Sequence, residues 1–380
     1  LPEKIWRLPY TAAQIDASVG KSPIIKNGTW WTWDIGTSSY RDTGVLLGTT
    51  GFSNRNLLDN WYFADPIDQR HGYMIPKGAV IYRDSGFTEL IGPAAAACEV
   101  VEKTAAYAKV RDPAYHQSFY YAAPSAAVRG YCENGYTIDR WYSYECVSVK
   151  LLESRVQIIA KSSGSQFVQA IPLEEIEENT LLTLSFLDTD GELTVCTGRA
   201  AHNAEHSLYA NTDWGWISFR NLPNVPYWQA VFHTTVNKTL VAGKLELGSH
   251  QTLAHKEGDT WVLNDPPPNK ALELAKCQRY QYATSSYYGA GEVDGAGINI
   301  GVNFPCTMRS TPTMQTKTGI RAQMAGYGGN GFYENLTASF RWGSSTSCNI
   351  LINVPDTSKF VPGYPVTARI DTPLLFDANL

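Results

Sequence analysis

The chain has 380 residues, 43% of them hydrophobic and only 18% charged, with 11 Trp, 22 Tyr and 13 Phe. Low charge with so many aromatics excludes a disordered chain, and a formal charge of -5 leaves no basic footprint for nucleic acid. No apolar run approaches the ~20 residues of a membrane-spanning helix, no signal-peptide pattern opens the sequence, and the length suits two or three domains.

Residues 1–22 carry a helix signal. Thr11-Ala12-Ala13-Gln14 is a capping-box pattern, Ile15 and Val19 fall one turn apart on one face, and Gly20 can stop the helix. Isolated helices need ~12–15 residues in water, so two turns must pack on the following domain or on a second copy of the chain. Residues 23–50 read as a Trp-rich β-ribbon. Asn27-Gly28 is a hairpin signal, Trp31 and Trp33 share a strand face, and Gly36 to Ser39 turn the chain into a strand from Tyr40 to Val45. Such a ribbon has no core of its own, so its tryptophans are expected to pack on neighbours; sugar stacking is the alternative.

Residues 51–255 have the texture of a β-sandwich, with short alternating runs separated by turns. The expected strands are 57–63, 136–150, 155–161, 181–187, 193–199, 214–220, 228–237 and 240–247. In the run 181–187, Leu182, Leu184 and Phe186 alternate with Thr183 and Ser185, the mark of a half-buried strand. Residues 71–129 interrupt the pattern and are expected to fold as an inserted subdomain, because a structureless loop of that length is improbable. In the 256–282 linker, Pro266-Pro267-Pro268 breaks the chain and Asn269 caps a short helix over 271–280. Residues 283–380 are strand-like again, at 298–304, 313–318, 338–342, 350–354 and 366–370, around a glycine-rich 325–331. The expected fold class is mainly β: short helix and ribbon, β-sandwich, helical linker and a C-terminal β-sandwich domain.

Catalytic signatures are missing: no phosphate-binding loop, no nucleophile elbow, no H-E-x-x-H and no dinucleotide fingerprint. The seven cysteines form no C-x-x-C and read as buried free thiols of a reducing compartment. His202 and His206, with Glu205 between them, tempt a metal reading but lie between strands and lack a third ligand. Asp188-Thr189-Asp190-Gly191-Glu192 resembles part of a calcium loop, yet Asp-Gly between strands is also an ordinary turn. No metal and no cofactor are expected. Glu174, Glu175, Glu177 and Glu178 read as a solvated loop, and the Asn27, Asn237 and Asn335 sequons as chance matches. The remaining signal is aromatic. Trp141-Tyr142, Tyr209, Asp213-Trp214-Gly215-Trp216 and Tyr227-Trp228 cluster in the sandwich, where rings either fill the core or offer flat faces to sugars.

Ordered motifs then suggest a family. The run 25–34 with 40–45 (Ile-Lys-Asn-Gly-Thr-Trp-Trp-Thr-Trp-Asp, then Tyr-Arg-Asp-Thr-Gly-Val) resembles a module of bacteriophage fibre and appendage proteins. Asn56-Leu57-Leu58-Asp59-Asn60-Trp61-Tyr62-Phe63, with 135–141, resembles the opening of their jelly-roll domains, and Lys244-Leu245-Glu246-Leu247-Gly248 with 275–280 their closing strand and helix. The stretch 304–313 resembles a strand motif of their C-terminal domains. The Asn-Leu-Leu opening and Lys-Leu-Glu-Leu-Gly close are also similar to jelly-roll carbohydrate-binding modules. The resemblance implies an elongated homotrimer in the virion, made in the host cytoplasm and docked on other virion proteins through its N-terminal segment. It implies a non-enzymatic role in binding host-surface glycan. The alternatives are a purely structural head-attached or decoration fibre, and a glycan-cleaving appendage enzyme. Candidate glycan-binding residues are Asp213, Trp214, Trp216, Tyr227 and Trp228 in the sandwich and Tyr327 and Tyr333 in the C-terminal domain. Candidate trimer-interface residues are Ile15, Val19, Trp30, Trp31 and Trp33. The low charge fits a neutral glycan better than nucleic acid or a membrane.

Overall fold

A computed structural model describes residues 24–26, 29–46, 53–111, 117–132, 135–153, 155–284, 286–294, 297–316, 318–326, 329–355, 358, 360–361 and 364–378. The expected helix with Ile15 and Val19, the Asn27-Gly28 turn, Tyr327 and the Trp30 side chain lie outside the described residues. The fold is mainly β. No helix among the described residues is long and apolar enough to cross a membrane. The chain divides into two compact units, 1–55 with 251–266, and 56–250 with 267–380.

In the first unit, strands Ile24–Lys26, Thr29–Asp34 and Ser39–Leu46 form an antiparallel ribbon. The Asp34 carboxylate sets the expected turn, accepting from the Gly36 amide at 2.8 Å and the Thr37 amide at 3.2 Å. Trp33 meets Tyr40 edge to face at 5.2 Å. A hairpin, Ala254–Glu257 with Thr260–Leu263, belongs to this unit and was not among the expected strands.

The second unit is built on a six-stranded and a twelve-stranded sheet. The six-stranded sheet runs, in spatial order, Gly135–Tyr136, Trp141–Tyr144, Ser165–Pro172, Tyr227–Thr234, Gly215–Asn221 and Ala204–Thr212. The other sheet opens with Leu193–Arg199, Leu181–Asp188, Lys238–Leu247, Arg155–Ile159 and Ser148–Leu152. Between them lies an aromatic core. Trp141 stacks on Phe167 at 4.6 Å and meets Phe63 at 5.2 Å and Phe186 at 6.2 Å; Phe186 meets Phe232 at 5.3 Å.

Three expectations are corrected here. The run 57–63 is no regular strand; it makes an isolated bridge, Tyr62 to Ala242, and scattered backbone bonds to the strand Lys238–Leu247, among them Leu57 N to Leu245 O at 2.8 Å and Phe63 N to Val241 O at 3.0 Å. Side-chain amides interleave with these bonds: Asn56 Nδ2 donates to Gly243 O at 2.9 Å, and Asn60 Nδ2 ties the segment to Ile67 O and Asp139 O, both at 2.8 Å. The run 136–150 is three strands rather than one. Glu145 takes a positive φ of 55° and turns the chain from the six-stranded sheet into the larger one. The strand 181–188 is buried on both faces rather than half-buried, with Thr183 Oγ1 donating to Gly248 O at 2.8 Å.

The insertion extends the twelve-stranded sheet beyond Ser148–Leu152, through Val128–Cys132 and Tyr73–Ile75 to an edge at Leu90–Pro93. It has a core of its own, including Ile75, Ile81, Cys98, Val110 and Phe119. The helix Lys270–Gln278 starts as expected, with Asn269 Oδ1 accepting from the Ala271 and Leu272 amides at 3.0 and 3.2 Å. It presents buried Glu273 to the Asn60 amide.

The C-terminal domain is a closed six-stranded barrel and not a sandwich. Tyr287–Asp294 pairs with both Gly297–Asn303 and Pro365–Ile370, so the sheet returns on itself. Ile298, Ile300, Met324, Ile350, Ile352 and Ile370 fill it. Gly291 marks a tight crossing: a Cβ there would meet the Asn299 carbonyl of the next strand.

Candidate functional site

Strand alternation sorts the sandwich aromatics into two sets. On the six-stranded sheet, Trp141, Phe167, Phe219, Trp228 and Phe232 point inward and are buried. The opposite parity carries Tyr142, Tyr144, Trp216, Tyr227 and His233 onto the outer face. Cross-strand register aligns these residues in rows. One row reads Tyr144, Gln166, His233, Trp216, Asn211 across five strands. The next reads Tyr136, Tyr142, Val168, Val231, Ser218, Tyr209 across six. At normal strand spacing these rows span about 20–24 Å, room for several linked sugar rings.

The rings touch one another in two groups. At one end Tyr142 lies 5.1 Å from Tyr136 and 4.6 Å from Tyr144. At the other, Trp216 stacks flat on His233 at 4.6 Å, and His206 contacts Tyr209 at 4.5 Å and Trp216 at 5.5 Å. Tyr144 and Tyr209 are 43% and 46% exposed, so faces remain open to solvent at both ends. Gly164, at φ 104°, lets the His233 ring close over the backbone; any Cβ there would run into the imidazole. Between the groups, Arg220 Nε donates to Gln229 Oε1 at 2.9 Å and Nη2 to Gln166 Oε1 at 3.0 Å. Its guanidinium carbon is 5.7 Å from the Trp216 ring.

Burial tunes these groups. It raises the Tyr142 and Tyr227 hydroxyls, each reinforced by neighbouring tyrosines, and it raises Tyr136 most. The phenols stay protonated and can both donate and accept. Burial, then the Arg220 charge, lowers His233, which is a neutral imidazole at neutral pH. Flat apolar faces beside fixed amides and hydroxyls suit a sugar, which has C–H faces and a hydroxyl rim.

The structure separates the sequence candidates. Trp216 and Tyr227 are on the outer face, and Asp213 is exposed in the turn beside it. Trp228 is corrected to a core residue: it is 0% exposed, lies between Phe219 at 5.2 Å and His202 at 4.8 Å, and donates its indole N–H to Ile176 O at 3.3 Å. Trp214 is corrected likewise. It is 8% exposed, stacks on Phe232 at 4.8 Å, and donates to Glu192 Oε2 at 2.6 Å. Neither offers a ring face to a ligand. Tyr333 packs beside Phe360 in the barrel at 6.5 Å, and Trp31 and Trp33 are half-buried in the ribbon. Tyr136, Tyr144, His206, His233, Gln166 and Arg220 were missed as site residues. The parity of Tyr142 and Tyr144 against Trp141 was the available signal.

Side-chain contacts within the chain account for the tempting ion sites. Lys238 Nζ lies 2.6 Å from Asp188, 3.1 Å from Asp190 and 3.2 Å from Glu192, so an ammonium occupies the centre of the calcium-like turn. His202 and His206 diverge: the first stacks on core Trp228, while the second accepts from or donates to Ser218 Oγ at 2.9 Å on the outer side. No group of three His, Cys, Asp or Glu among the described residues could hold a metal ion. In the acidic run, Glu175 accepts from Tyr280 at 3.2 Å and Glu174 meets Arg309 at 3.3 Å.

Compared with known proteins, the chain matches no family model and no curated relative.

Proposed function

We propose that the chain is a fibre or appendage protein of a bacteriophage virion that attaches to host-surface glycan, by binding rather than turnover, through the outer face of its six-stranded sheet. One observation carries the attachment role: two groups of partly exposed rings stand in cross-strand rows around fixed amides and a guanidinium. The ordered sequence resemblances support the phage setting. A jelly-roll assignment of the sandwich belongs to the same proposal. So does an elongated homotrimer, held at its N-terminal end through Ile15, Val19, Trp30, Trp31 and Trp33 and docked there on other virion proteins.

The test is a glycan array probed with the full chain, including polysaccharides extracted from candidate bacterial hosts. Retention on at least one glycan is expected, with Trp216→Ala or Tyr144→Ala weakening it about tenfold, the scale of one lost stacking ring. A parent that binds nothing, or two variants that bind like the parent, would overturn the reading.

A further inference from the structure

The outer face holds one half-buried charge without an ion-pair partner. Arg220 is half-buried, yet both of its protein partners are neutral amide oxygens, Gln229 Oε1 and Gln166 Oε1. It takes part in no ion pair among the described residues. Two other cations of this unit, both more deeply buried, are matched: Arg140 with Asp59 at 3.2 Å, Lys238 with three carboxylates. Taking an unpaired cation partly out of water is costly, and folds ordinarily compensate it with an acid. Here the compensation is absent and the guanidinium keeps unused N–H donors, since only Nε and one Nη2 proton are engaged.

The neighbouring rings add hydrogen-bonding atoms. His233 shares the row with Gln166, and its buried Nδ1 has no hydrogen-bond partner. His206 lies against Trp216 on the same face. The carboxylate whose charge reaches Arg220 is that of Glu205, which is exposed and forms no ion pair with it. A guanidinium presents paired donors that match a carboxylate in a two-point fork, and here the fork is flanked by ring faces.

We infer that this face recognises an acidic glycan, with the carboxylate of a uronic- or sialic-type sugar seated on Arg220 and adjoining sugar rings on Trp216 and Tyr144. The inference rests on the glycan-binding reading above and departs from the neutral partner that the average composition suggests. The overall charge of -5 conceals one outward-facing guanidinium with neutral hydrogen-bond partners.

The test uses the full chain and paired probes: polygalacturonate, alginate, hyaluronan, polysialic acid and host polysaccharide, each beside its carboxyl-reduced form. The expected result is binding to at least one acidic polymer that falls about tenfold or more when its carboxyls are reduced, and weakens as sodium chloride is raised. Arg220→Gln should lose the preference for the acid form, while Arg220→Lys keeps part of it. Circular dichroism melting checks that the variants are folded. The reduced polymers test the charge with the unaltered protein, so a variant that fails to fold does not spare the idea. Equal binding to acidic and reduced forms, or binding confined to neutral glycans, overturns the inference and leaves glycan attachment standing. Binding to none of the glycans overturns both.

Discussion

Trp214 and Trp216 stand two apart in sequence and do unlike things. Trp214 is tied to Glu192 and Phe232, whereas Trp216 lies on the outer face against His233. Trp214→Ala should therefore cost about 3 kcal/mol of stability in denaturant unfolding and leave glycan affinity per folded molecule unchanged. Trp216→Ala should do the reverse. Lys238→Ala strands the buried Asp188 carboxylate and should cost about 3 kcal/mol, read the same way. Asp139 gives a pH signature. It is fully buried and its carboxyl is pushed up to about 7 by burial, against the hydrogen bonds from Gln69. The unfolded carboxyl ionises near pH ~3.9, so in that window the folded chain binds the extra proton and stability falls as pH rises. Asp139→Asn lacks this titration. The difference in unfolding free energy should move in the variant's favour from about pH 4 to about pH 7 and then level off; a constant difference would show that Asp139 does not titrate there. The sequence singled out both tryptophans but not their different settings, because residues two apart on a strand share a face and nothing in the Trp-Gly-Trp run shows that Trp214 falls in the turn ahead of the strand that begins at Gly215.

At the scale of elements, alternation was readable and its partners were not. Trp228, Ala230 and Phe232 form one face of their strand and Tyr227, Gln229 and His233 the other, so the buried set follows from hydrophobicity once the strand is granted. The break at Glu145 has no such signal: a positive φ at glutamate leaves no mark in composition. The 57–63 run reads as apolar and strand-like, but the Asn56 side chain takes two places that a regular ladder would give to backbone, at Gly243 O and at the Leu245 amide. The helix was the easiest element, since its asparagine cap follows three prolines. Asn269→Ala should cost about 1 kcal/mol, visible as a lowered melting temperature. Gly164→Ala combines strain at φ 104° with a clash against His233, so it should disturb the Trp216 stack and weaken glycan binding as well as stability.

For the molecule as a whole, the same hydrophobic alternation serves a sandwich or a barrel. Closure is decided by strand register, which is why the C-terminal domain was read as open sheets and is a closed barrel. Its six strands leave no free edge, whereas the twelve-stranded sheet ends at Leu90–Pro93. Gly92 and Pro93 blunt that edge by weakening or denying ladder hydrogen bonds. The proposed trimer predicts a light-scattering mass of three times the 42.0 kDa chain; a monodisperse monomer would sink it. The thiols supply a check on packing. Burial pushes the Cys146 thiol up to about 11 and those of Cys196 and Cys348 up to about 12. Alkylation of the folded protein should reach Cys132 and Cys306 first and the buried five only on unfolding.

The Lys238 ammonium changes what the medium can do to this fold. A divalent ion holding Asp188, Asp190 and Glu192 together would be shared with every chelator and buffer the chain meets, and would leave on dilution. A cation on a side chain travels with the chain, at an effective concentration fixed by its tether rather than by the surroundings. Thermal unfolding should therefore be the same with and without EDTA, and the chain can pass between calcium-rich and calcium-poor fluids without this turn loosening.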